Sequence, residues 1–153
     1  MGRISERLAE MGLVLPQRRS AGRYVGAVQA GNLIFVSGAG PVGPAGIITG
    51  KAGADLDVAG AQEAARLCNL NCLSSVKEVV GDLDRVIRVV KVLGFVNSAP
   101  GFTQQHVVMD AASELLVSLF GEAGAHARSS VGVPELPLDI AVEVEMRVEV
   151  TPH

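Results

Sequence analysis

The segment 140–150, IAVEVEMRVEV, alternates without a break. Ile140, Val142, Val144, Met146, Val148 and Val150 fall on one side; Ala141, Glu143, Glu145, Arg147 and Glu149 fall on the other. Successive side chains of a strand point to opposite faces, so this strand has one apolar face and one that carries three carboxylates and a guanidinium. A strand of that kind belongs in a sheet whose apolar face must be covered by another layer.

The covering layer is legible upstream. Val58, Ala61, Ala65, Cys68, Cys72, Val76 and Val79 recur at three- and four-residue steps, Asp57 precedes them as an N-cap, and Gly81 ends the run. Gln62, Glu63, Arg66, Asn69, Lys77 and Glu78 fall on other faces of this long helix. Val108, Ala112, Leu115 and Leu119 mark a second helix closed by Gly121 and Gly124, and Ile4, Leu8 and Met11 a short N-terminal one stopped at Gly12. Residues 24–30 and 33–36 suit strands joined at Gly31-Asn32, a two-residue hairpin signal. Segment 37–46, SGAGPVGPAG, reads as a long turn, and Ile47-Ile48 as a short extra strand. Segment 86–96, VIRVVKVLGFV, is β-branched and mostly apolar, as a central strand covered on both faces would be. Residues 127–133 form another strand, bounded by Pro134 and Pro137. The order is helix, two strands, helix, strand, helix, two strands: an α+β domain with two long helices on one face of a mixed sheet.

The chain has 153 residues, which suits one domain over 1–153, and no internal repeat interrupts it. Its 48% hydrophobic content and mean hydropathy of +0.36 exclude global disorder, and the apolar excess has to be hidden somewhere, a shared subunit interface being one place. No stretch of about 18 apolar residues is present, so no membrane helix is expected. Residues 1–11 carry charges throughout and lack the apolar segment of a signal peptide, which points to the cytoplasm. The net charge of −3 and pI near 5.6 argue against an extended nucleic-acid surface. Arg18, Arg19 and Arg23 form the one basic concentration and read as a solvated loop. Aromatic residues make up 3%, and Tyr24 is the only tyrosine.

Gly38-Ala-Gly40-Pro-Val-Gly43 matches the G-x-G-x-x-G string, but Pro41, Pro44 and Gly46 forbid the helix that a dinucleotide site needs, so a turn is expected. Cys68 and Cys72 share a helix face without a third ligand; they read as small core residues rather than a zinc site. His106, His126 and His153 read as structural or surface residues. Arg128 follows a glycine-rich loop and opens a strand of small residues, Ser129, Ser130 and Gly132; a guanidinium in such a recess can hold a carboxylate or phosphate bidentately. The alternative is a pair with an acidic residue of the final strand. Glu143 is the matching candidate for a base or water-positioning group, against an ordinary polar residue of a solvated strand face.

Several of these residues form a pattern. Gly31-Asn-Leu-Ile-Phe-Val-Ser37-Gly38 resembles the second-strand motif of the YjgF-like, or reactive intermediate deaminase, family. Arg128-Ser-Ser-Val131-Gly-Val133-Pro-Glu-Leu136-Pro137, followed by Val142-Glu143-Val144-Glu145, resembles that family's C-terminal signature. The added N-terminal helix and fuller length resemble a longer subgroup labelled endoribonuclease L-PSP domain proteins. The resemblance implies a chorismate-mutase-like fold and a homotrimer with clefts between subunits. It implies hydrolysis of reactive enamines and imines to a keto acid and ammonia, with neither metal nor organic cofactor. By the same resemblance Arg128 clamps a substrate carboxylate, Glu143 holds the attacking water, and Tyr24 and Ser37 line the cleft. Two positions depart from the pattern: Ser130 stands where the family tends to carry Cys, and Asp110 is the match for a usual Asn. A negative Asp110 in the cleft would oppose a carboxylate unless Arg128 neutralises it. The expected function is therefore an imine or enamine hydrolase acting on small carboxylate-bearing metabolites. The alternatives are a non-catalytic small-molecule binding module and the endoribonuclease or translation inhibitor that the subgroup label names.

Overall fold

The computed structural model describes residues 2–18 and 22–152, so Arg19 and His153 lie outside the described residues. The chain runs α1 (Arg3–Glu10), β1 (Ala27–Ala30), β2 (Leu33–Ala39), β3 (Val42–Gly43), β4 (Gly46–Ile47), α2 (Val58–Val80), β5 (Val86–Asn97), α3 (Gln105–Phe120), β6 (Ala127–Val133) and β7 (Val142–Val150). Short 3-10 turns at Leu83–Arg85, Gly121–Gly124 and Pro137–Asp139 join these elements.

The main sheet has the order β1-β2-β7-β5-β6, with β6 parallel to β5 and all other neighbours antiparallel. The alternating strand β7 is its centre. Ile34, Val89, Val92, Val96, Val142, Val144 and Val148 are fully buried on the side where α2 and α3 pack, alongside Ala61, Ala64, Ala65, Leu73, Val76, Val108 and Leu116. Small residues let α2 approach the sheet closely: the Cys68 and Cys72 thiols each donate to a β7 carbonyl, of Val142 and Val144, at 3.2 Å. Burial pushes the Cys72 thiol up to about 12, and Cys68 rises for the same leading reason. Both are neutral core groups at physiological pH.

Asp57 caps α2 as expected, its carboxylate accepting from the Gly60 amide at 2.8 Å, and Gly81 ends the helix at φ 85°. Three expectations need correction. Asn69, placed by spacing on a polar face, is fully buried and donates to the Ala112 carbonyl of α3 at 2.8 Å. Helix α2 packs on the sheet with one face and against its neighbour α3 with another, so more than one of its faces is covered. Strand β5 is not covered on both faces, because both helices lie on the same side and Ile87 and Val90 remain exposed. The 37–46 turn is also more ordered than its composition implies: β2 extends through Ala39, and β3 and β4 form a small hairpin. The glycine string opens no helix. Among the described residues no helix is long and apolar enough to cross a membrane.

Candidate functional site

Strand β6 is the sheet edge, and Arg128 lies opposite Val92 of β5. Because Val92 is buried under the helices, Arg128 also points to the helix side, and it meets α3 there. Its Nη1 donates to Asp110 Oδ1 at 2.9 Å and to Ser113 Oγ at 3.0 Å; its Nη2 donates to the His106 carbonyl at 3.3 Å. The partner is thus Asp110, not an acidic residue of β7. The Arg128 side chain is 21% exposed and that of Asp110 53%. A guanidinium has five N–H donors, so the Nε hydrogen and one Nη2 hydrogen remain, enough for a bidentate carboxylate. Asp110 holds the other end of the guanidinium and tempers its charge. Ser130 lies two residues along the same strand face, and its buried Oγ has no hydrogen-bond partner among the described residues.

Glu143 faces Phe95 across β5 and points to the open side of the sheet, since its neighbours Val142 and Val144 are the ones buried under α2. It closes one end of a recess of about 450 Å³ also lined by Arg18, Tyr24, Gly38, Asn71, Leu138 and Ile140. Gly38 leaves the Glu143 carboxylate its place: a Cβ there would stand 2.8 Å from Glu143 Oε2 and displace it. Burial raises the Glu143 carboxyl above its usual range, Glu145 adds to the rise, and Arg18 opposes it. Tyr24 lies on this side, 48% exposed. The Ser37 hydroxyl does not point freely into the recess; it donates to the Val25 carbonyl at 2.7 Å.

Arg18 is the largest departure from the expected site. It is not a solvated loop residue. Its Nη1 donates to Ser75 Oγ (2.7 Å) and the Gly26 carbonyl (3.3 Å), and its Nη2 to the Ser37 (3.0 Å) and Gly38 (2.8 Å) carbonyls. These acceptors come from β2, the segment before β1 and α2, so a charge that reads as loop decoration ties three segments together beside Glu143. Local sequence carries no sign of this. Arg23, by contrast, is exposed.

Leu138 is a second missed residue. The 3-10 turn at Pro137–Asp139 holds Leu138 at φ 59° and Asp139 at φ 56°, left-handed conformations that cost a side chain of leucine's size about 1–2 kcal/mol. Surrounding contacts fix them: buried Asn97 donates to Asp139 Oδ1 at 3.0 Å, and Lys51 Nζ donates to Asn97 Oδ1, to the Pro134 carbonyl and to Glu135. The turn presents Leu138 to the recess. Ser113 was also missed, although it stands one helical turn after Asp110 and shares its face. Its hydroxyl joins Arg128 to His126, whose ring is half-buried rather than at the surface.

The structure therefore brings Arg128, Asp110 and Ser130 together on the helix side at the β6 edge, and Glu143 and Tyr24 together on the open side, with Ser37 bonded into the backbone nearby. It does not bring the two groups together within one chain. Among the described residues no cluster of three or more His, Cys, Asp or Glu side chains could hold a metal ion.

Residues 5–150 match the family described as "YjgF/chorismate_mutase-like, putative endoribonuclease". Protein TCP17 of Trypanosoma cruzi is 46% identical over 97% of this chain and 94% of its own length. The crystal structure of Atu1372 from Agrobacterium tumefaciens, a protein of unknown function, superposes with a TM-score of 0.91 at 44% identity, covering 97% of this chain and 94% of that one. Escherichia coli TdcF with bound serine superposes with a TM-score of 0.59 at 26% identity, over 86% of this chain and 91% of that one.

Proposed function

Because the chain belongs to the YjgF/chorismate mutase-like family, we propose that its two half-sites meet across a subunit boundary of a homotrimer and hydrolyse small imines or enamines that carry a carboxylate. The observation that carries this reading is Arg128, anchored at one end by Asp110 and Ser113 with two donors left at the other. That is the equipment of a carboxylate clamp, and Glu143, the group this reading gives to the water, stands on the opposite face of the same sheet.

In this reading Arg128 Nε and Nη2 bind the substrate carboxylate and set the imine carbon against Glu143 of a neighbouring subunit. Water adds its oxygen to that carbon, Glu143 accepts the water proton, and the nitrogen takes a proton as the tetrahedral carbinolamine forms. Collapse breaks the C–N bond and releases ammonia and the keto acid. Imine and water together equal keto acid and ammonia, so the step needs no oxidant or cofactor. A carboxyl held above its usual range suits proton transfer near neutral pH. Arg128 contributes by orientation and charge, which are large terms in a site that already holds an activated C=N.

Two further observations support assembly and ligand class. Phe35 and Val131 are exposed on the open sheet face, where Arg147 stacks over the Phe35 ring at 5.9 Å, so a second copy would find an apolar surface to cover. Serine in TdcF is a small amino-acid carboxylate, the same class of ligand.

The test couples the protein to a lyase that releases 2-aminoacrylate and follows keto-acid appearance. Acceleration by wild type and its loss in Arg128→Ala are expected; a wild type that leaves the spontaneous rate unchanged refutes the activity on that substrate. A binding-only role is the second reading, favoured by the serine held in TdcF; calorimetric binding of serine without turnover of any imine would select it. The endoribonuclease reading finds less support, since Glu143, Glu145 and Glu149 share one face of β7 and the net charge is −3.

A further inference from the structure

Arg128 can only donate, so the Ser113 oxygen accepts from Nη1, which leaves the Ser113 proton to be placed elsewhere. Its other partner is His126 Nε2 at 2.9 Å. At the far side of the ring, His126 Nδ1 stands 2.6 Å from the Gly124 carbonyl, which can only accept. The Gly124 contact places a hydrogen on Nδ1, and in a neutral ring that leaves Nε2 bare to accept from the Ser113 hydroxyl. Hydrogen bonds then run in one direction: His126 donates to Gly124, Ser113 to His126, and Arg128 to Ser113.

We infer that His126 is a positioning residue for Arg128, acting through the Ser113 hydroxyl, and that its neutral ring keeps the free Nε–Nη2 edge of the guanidinium aimed at a carboxylate ligand. This rests on the clamp reading above and deepens it, by adding a pH-sensitive support that neither histidine spacing nor the family pattern indicates. A second proton on His126 reverses the Nε2 contact. Nε2 then donates toward an oxygen that Arg128 already uses, the Ser113 proton loses its acceptor, and an imidazolium faces a guanidinium. Arg128 is left on Asp110 and the His106 carbonyl, with less to fix its direction.

The groups facing His126 are Ser113 from α3, the Gly124 carbonyl from the 3-10 turn and Arg128 from β6; Arg88 of β5 reaches the adjacent Ala125 carbonyl at 3.4 Å, and Asp110 is the carboxylate in the cluster. Burial first, and then the Arg128 charge, hold His126 below the usual histidine range, against the opposing Gly124 contact. The ring is therefore neutral at physiological pH and titrates on the acid side.

The test has two arms. Imidazole 15N NMR of the whole protein should show the Nδ1–H tautomer, and Arg128→Gln should raise the protonation midpoint of His126; an Nε2–H tautomer, or a midpoint that Arg128→Gln does not move, overturns the inference whatever the protein binds. In the second arm pyruvate is titrated by calorimetry between pH 5 and 8. Wild-type affinity should fall as His126 protonates. His126→Gln keeps an acceptor for Ser113 without titrating, and should bind nearly as well at pH 7.5 and lose the acid decline. His126→Phe should weaken binding about tenfold at pH 7.5, the scale of a slightly misdirected contact. Equal affinity in His126→Phe and wild type overturns the inference. A wild type that binds no pyruvate while the NMR arm holds refutes the carboxylate clamp, and leaves the His126–Ser113–Arg128 relay standing.

Discussion

Arg128 and Glu143 lie opposite Val92 and Phe95 of the same strand, β5, and they point to opposite faces of the sheet. Side chains alternate along a strand, so residues aligned with an even and an odd position of β5 cannot share a side. No rotamer change brings the two groups to one substrate within a chain.

Mixed subunits test this directly. Arg128→Ala and Glu143→Gln proteins should each be inactive alone, and unfolding and refolding them together in equal amounts should restore activity. In a ring of heterologous contacts, random assortment leaves roughly a quarter of the clefts with an intact Arg128 from one subunit and Glu143 from the next. Recovery to about that fraction of wild type is expected; no recovery in a mixture that assembles places the two residues in separate sites.

The pH dependence of stability should report Glu143. Its carboxyl is raised first by burial, then by Glu145, with Arg18 opposing. A carboxyl raised in the folded state lends stability below its unfolded pKa and loses it as pH climbs through the folded value. Glu143→Gln should therefore gain on wild type in urea unfolding as pH rises from 4 toward 7. A difference between the two that is the same at both ends contradicts the raised carboxyl.

Removing Arg18 should cost stability far from its place in sequence. Arg18→Ala loses four hydrogen bonds from a charged donor and leaves the carbonyls of Gly26, Ser37 and Gly38 to other partners. The expected loss is about 2–3 kcal/mol. Arg18→Lys should recover little, because three ammonium donors on one nitrogen cannot span acceptors on three segments. A urea midpoint unchanged in Arg18→Ala would return this residue to the solvated loop that its neighbours suggest.

Leu138 should show stability and function moving apart. Leu138→Gly relieves a left-handed backbone at φ 59° and should stabilise the fold by about 1 kcal/mol. It also removes an apolar wall from the recess beside Glu143. A higher KM for imines with an apolar side chain, at unchanged or higher Tm, is the expected outcome; a lower Tm would show that Leu138 packs for stability instead.

The alternation of 140–150, the spacing of α2 and the cap at Asp57 determined by themselves that this chain folds as helices on one face of a sheet, because period and capping are local properties. The resemblance of the 128–137 and 142–145 segments similarly marked Arg128 and Glu143. What sequence could not decide is which groups meet. Asn69 became a buried link because α3 covers the face that spacing assigned to solvent, and β5 kept an open face because both helices pack on the other. Arg18 reached Ser75, 57 residues away, and His126 reached Arg128 only through a hydroxyl on α3. Hydrogen bonds between distant segments leave no periodic trace in a chain. Periodicity set the layers, and only tertiary packing settled which polar groups stand beside Arg128 and Glu143.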